Sequence, residues 1–104
     1  MEIFRQGDVV LRRMENPVNF EGAKDQGDPV LAYGETTGHS HRITEGNVQF
    51  IRLLTGMVVL RVLSDQARLF HETHPDVLLD RGDYEVAKQR EVDWMSSTMR
   101  NVVD

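Results

Sequence analysis

Four histidines, confined to two short windows, are the residues of this chain best suited to chemistry. The first window is His39-Ser40-His41. In an extended strand successive side chains alternate between faces, so both imidazoles project to one side while Ser40 and Arg42 project to the other. The second window, His71-Glu72-Thr73-His74, follows about thirty residues later. Two imidazoles from one strand need a third ligand from elsewhere. His71, at the end of an apolar run, is the first candidate, and His74, at the rim, is the second. Three nitrogens with open positions suit zinc, iron, manganese, nickel or copper, and residue types alone do not choose among these divalent metals. Glu45 and Glu72 could each add an oxygen, and Glu35 and Glu72 are the candidate proton carriers if the site is catalytic. Because i and i+3 fall on different faces of a continuous strand, His71 and His74 are not expected to act equally.

The elements that must place these residues read as β. Ile3 to Phe4 and Asp8 to Arg13 form an opening strand interrupted at Gln6-Gly7, where glycine permits a bulge. Met14 to Asp28, with Pro17, Gly22 and Gly27 among polar residues, reads as a long surface loop. A short strand from Pro29 to Tyr33 enters Gly34, and the histidine strand follows. Glu45-Gly46-Asn47 has hairpin chemistry leading into Val48 to Leu54. Thr55-Gly56 makes the next turn. Met57 to Leu63 is almost continuously apolar and β-branched, as in a strand covered on both faces. Asp65 and Gln66 read as a turn into Ala67 to His71, and Pro75 should end that strand beside His74. Asp80-Arg81-Gly82-Asp83 reads as another turn. Tyr84 to Val92 then alternates, with Lys88 and Arg90 falling on the apolar side. Asp93 would cap a short C-terminal helix with Met95, Met99 and Val102 in one stripe. Strands separated by turn signals at intervals of about ten residues indicate a single all-β domain over residues 1–104, a small barrel or sandwich.

Composition sets further bounds. The 104 residues suffice for one core, and the absence of cysteine excludes disulfides and thiolate ligands. A net charge of −5 with scattered basic residues argues against direct nucleic-acid binding. No apolar run is long enough to span a bilayer, and the first residues lack the pattern of a signal peptide, so a cytoplasmic address without membrane attachment is expected. No serine lies in a GxSxG context. A small molecule or a protein remains as partner, and the oligomeric state stays open, a homodimer included.

His39-Ser40-His41 with Glu45 resembles the first half of the cupin motif, HxH-x3-E, and Asp80 to Tyr84 is similar to the glycine turn before a late cupin strand. That resemblance implies a small β-barrel holding a metal on both histidines and the glutamate. Most of the chain also resembles a group of small uncharacterised bacterial and phage proteins. The shared stretches are Gln6-Gly7-Asp8-Val9, Gly34-Glu35 with Thr37-Gly38-His39-Ser40-His41-Arg42, His71-Glu72-Thr73-His74, and Tyr84-Glu85-Val86 with Gln89-Arg90-Glu91. This second resemblance implies no particular reaction. The sequence therefore leads to the expectation of a cupin-like metal-binding domain, enzymatic or not. The competing expectation is a non-catalytic interaction module, phage or defence-related, with a structural histidine cluster and a partner bound through the Met14 to Asp28 loop.

Overall fold

The computed structural model describes residues 2–28, 30–33 and 39–89. The positions expected to form the C-terminal helix, and Glu35 with the rest of 34–38, lie outside the described residues. All regular structure in the described part is β. The strands are β1 (Ile3–Gln6), β2 (Val9–Arg13), β3 (Lys24–Asp25), β4 (Val30–Tyr33), β5 (Ser40–Glu45), β6 (Val48–Arg52), β7 (Val58–His71) and β8 (His74–Lys88). They form one curled sheet in the order β1-β2-β8-β7-β5-β4, with β6 pairing β7 and the short β3 pairing β6. No helix among the described residues is long and apolar enough to cross a membrane.

Two long strands, β7 and β8, form the spine. Val59 and Leu60 are adjacent and both fully buried, so β7 is covered on both faces there, as its unbroken apolar sequence requires. The inward positions then change parity, from Leu60 and Val62 to Ala67, Leu69 and His71. The change falls at a register shift between Val62 and Gln66, where three residues of β7 lie opposite one of β8 and the strict alternation of both strands is broken. β8 changes with it, from Val77 and Leu79 to Tyr84 and Val86. Asp65-Gln66 and Asp80 to Asp83, expected as turns, are therefore irregularities inside continuous strands. Polar residues appear there because the ladder loosens, without the chain reversing. The bend in β8 is held by the Tyr84 hydroxyl, which donates to Asp80 O at 2.6 Å, and by Arg13, which donates to Arg81 O at 2.7 Å.

Three other connections differ from expectation. Gln6-Gly7 does not interrupt one strand: Gln6 pairs with Val9, and Gly7-Asp8 is the two-residue loop of a β1–β2 hairpin. Glu45-Gly46-Asn47 does not turn β5 back on β6. Both strands pair antiparallel with β7, β5 along residues 68–70 and β6 along residues 58–62, so they run end to end beside it. Pro75 does not end a strand; it is the second residue of β8, after the chain has reversed at Glu72-Thr73. The Thr55-Gly56 turn does form, with Gly56 N donating to Leu53 O. Met14 to Asp28 is irregular except for the two residues of β3.

The core is the cluster in which Val9, Leu11, Leu60, Val62, Ala67, Leu69, Leu79 and Tyr84 pack together. Phe4 meets the Tyr84 ring edge-on, with centroids 5.9 Å apart. Ile43, Leu69 and Val77 form one cross-strand row of this core through the pairs Ile43–Leu69 and Leu69–Val77.

Candidate metal centre

The next row along the same face contains the histidines. β5 pairs Arg42 with Phe70 and Ile43 with Leu69, so one step further His41 falls beside His71. His71 is in turn the registered partner of His74 on β8. Three imidazoles thus cross three adjacent strands, at the inter-strand spacing of about 4.8 Å, directly above Ile43, Leu69 and Val77. A one-residue register shift between Leu69 and His71 brings His74 opposite His71; with the earlier register Pro75 would stand there. His71 and His74 therefore share a face, contrary to the expectation for a continuous strand. The reversal at Glu72-Thr73 had no glycine or asparagine to announce it.

The ring centroids are 4.3 Å apart for His41–His71, 4.9 Å for His71–His74 and 6.0 Å for His41–His74. His39, two residues before His41, joins from the side at 5.6 Å from His71. The two windows noted in the sequence therefore meet. His41 and His71 are buried, at 7% and 8% exposure, while His39 and His74 are half-buried. Four imidazoles bound to one tetrahedral ion through bonds near ~2.0 Å would have centroids roughly 5 Å apart, so the spacing fits the donor set. The ring orientations do not yet converge on a point. His41 and His74 lie nearly parallel, 23° apart, and no three His, Asp or Glu side chains among the described residues are already arranged to hold an ion.

The candidate carboxylates Glu72 and Glu45 have other partners. Glu72 takes the Arg42 guanidinium at 2.6 Å, and Arg42 also donates to Ser40 Oγ and stacks over Phe70. The hydrogen bond from Arg42 holds the Glu72 carboxyl below its ordinary range. Glu72 is thus a fixed anion that anchors the tip of the β7–β8 hairpin to β5. Glu45 is mostly exposed and pairs with Arg68, which also binds Asp76.

Two neighbours of the cluster were not apparent as such in the sequence. Gln6 is fully buried, with its amide nitrogen 3.0 Å from both Leu69 O and Pro75 O and its amide oxygen 2.9 Å from His41 Nδ1. Gly7 lies against the His74 ring so closely that an added Cβ would stand 2.7 Å from Nε2. A Gly-Asp dipeptide between two strand-like runs is a hairpin signal that could have located the β1–β2 turn, though not its contact with His74. Thr73 also contributes: its backbone N–H donates to His71 Nδ1 at 3.1 Å.

Burial pushes the His71 imidazole below its usual 6.5; the charges of His74, His39 and Arg42 act in the same direction, and Glu72 opposes them. The unfolded chain then takes up this proton at a higher pH than the folded one. Between the two pKa values the unfolded state binds more protons, so stability rises with pH in that window. For metal-free protein this contribution is present above pH 6.5 and declines as the pH falls below it. Urea midpoints of chelator-treated protein should drop between pH 7.5 and pH 5.5, and His71→Gln should flatten that part of the profile.

The fold and site together define a small all-β domain whose curled sheet carries a cross-strand histidine row at one end of its core. Residues 5–89 match the family described as a domain of unknown function, DUF8820, and the chain belongs to that family. No curated protein and no solved structure matches it.

Proposed function

We propose that this is a metal-binding domain in which His39, His41, His71 and His74 hold one divalent transition metal. The row His41, His71, His74 across β5, β7 and β8, with His39 beside it, carries the reading. A donor set of nitrogens suits zinc, nickel, copper or iron better than manganese, whose preferred ligands are oxygens. An HxH pair on the inner side of a curled sheet also supports the cupin-like reading. The glutamate of that motif, Glu45, is engaged instead with Arg68, which supports a ligand set drawn from histidines alone. A bound metal of this kind supplies a Lewis acid or an activated water.

A second reading, a non-catalytic interaction module with a structural metal clip, is favoured by the ion pairs of Glu72 and Glu45. Both carboxylates are tied to arginines and poorly placed to carry a proton. The coordination number separates the two readings. Four imidazoles close the shell, whereas three with a water leave a position for substrate.

Metal analysis of protein purified without a histidine tag tests the common element. Wild type should carry about one metal per chain and His39→Ala/His41→Ala well under a tenth as much. Equal, substoichiometric metal in both would remove the proposal. X-ray absorption on the loaded protein then counts the nitrogens.

A further inference from the structure

We infer that Gln6 is a positioning residue for the histidine centre: it fixes the proton of His41 on Nδ1 and so makes Nε2 the nitrogen that can take a metal. This rests on the metal reading above for its purpose, though not for its geometry.

The two ends of a glutamine amide are told apart by their hydrogen-bond partners. One end of Gln6 lies 3.0 Å from two backbone carbonyl oxygens, Leu69 O and Pro75 O. Carbonyls only accept, so this end is the NH2 group, donating one hydrogen to each. The other end is therefore oxygen, and it stands 2.9 Å from His41 Nδ1. An amide oxygen has no proton to give, so Nδ1–H is the donor. In the neutral ring the lone pair then resides on Nε2. Metal-binding imidazoles are commonly held in this way, with the second ring nitrogen donating to an oxygen that fixes tautomer and orientation.

The adjacent ring is set the other way. His71 Nδ1 accepts from the Thr73 N–H, which places the proton of neutral, metal-free His71 on Nε2. For Nε2 to take a metal that proton must move to Nδ1, where Thr73 Oγ1, 3.2 Å away, can accept it. Two buried imidazoles 4.3 Å apart thus have opposite tautomers, each dictated by a backbone-anchored partner. Gln6 also joins four strands, since it lies on β1, donates to β7 and β8, and accepts a hydrogen bond from His41 on β5. Its neighbour Gly7 seats His74. The Gln6-Gly7 dipeptide therefore places one histidine from each window.

Long-range nitrogen–proton NMR on metal-free wild type at pH 8 reads both tautomers directly. His41 protonated on Nδ1 and His71 on Nε2 is the expected result, and His41 protonated on Nε2 overturns the inference. In a zinc competition assay with a chromophoric chelator, Gln6→Leu should bind zinc about 10- to 100-fold more weakly than wild type. An affinity within threefold of wild type would also overturn it. If Gln6→Leu does not fold, the wild-type tautomers decide alone. Wild type that takes up no zinc refutes the metal reading, while the tautomer measurement, made without metal, still decides whether Gln6 places the proton.

Discussion

Zinc added to chelator-stripped wild-type protein is expected to raise its unfolding free energy by about 4 kcal/mol when free zinc is a thousandfold above Kd. His41→Ala/His71→Ala is expected to gain almost nothing. The gain follows from linkage, because the ion binds the folded state, where β5, β7 and β8 align the rings, more strongly than a chain in which the two windows are far apart. Residual binding of zinc to unfolded histidines would reduce the figure. Each protein must be compared with itself, with and without zinc. The substitution has its own cost, since His41→Ala leaves the buried Gln6 oxygen without a donor, worth about 1–3 kcal/mol. Urea titrations in chelator and in buffered zinc provide the comparison. Equal shifts in both proteins would place the zinc elsewhere on the surface.

Gly46→Ala is expected to lower stability by about 3 kcal/mol, combining backbone strain with a steric clash. Gly46 has φ +106° where β5 passes into β6 beside the irregularity of β7. An added Cβ would lie 2.7 Å from both Ala67 Cα and Gln66 O, and backbone atoms cannot swing aside as a side chain can. Gly27 supplies the control. It too has a left-handed φ, +81°, but nothing stands within 4 Å of its missing Cβ. Gly27→Ala should therefore show only the conformational part, about 1 kcal/mol. Urea midpoints of the two variants measure the difference, and equal losses would mean that the close approach at Gly46 carries no cost.

The all-β character was legible because it depends on alternation, which residue types report directly, and the confinement of all four histidines to two short windows pointed to the cluster they form. The connections were much less so. Asp65-Gln66, Asp80 to Asp83 and Gly46-Asn47 all have turn composition, yet each marks a place where the ladder loosens and the chain runs on. Polar and glycine residues suit a bulge as well as a reversal, so composition cannot separate them. The converse occurs at Glu72-Thr73, a two-residue reversal without glycine or asparagine, which hid the pairing of His71 with His74. Gln6 stayed hidden for another reason: its partners are backbone carbonyls 63 and 69 residues away, and nothing local marks such a contact.

Those same separations bear on how the molecule assembles. β7 and β8 are neighbours in sequence and can zip from their shared turn early, while β2 must find the far end of β8, and Gln6 must reach the turn end of that hairpin, across most of the chain. Contacts of such high contact order repay their loop-closure entropy only late, which places chains of this kind in the slow, millisecond-to-second range. Local closure of the β7–β8 turn alone would bring His71 and His74 together, whereas His41 acquires its Gln6 anchor only when the amino-terminal hairpin reaches the sheet. A chain at that stage would present one pair of the proposed ligands without the complete set.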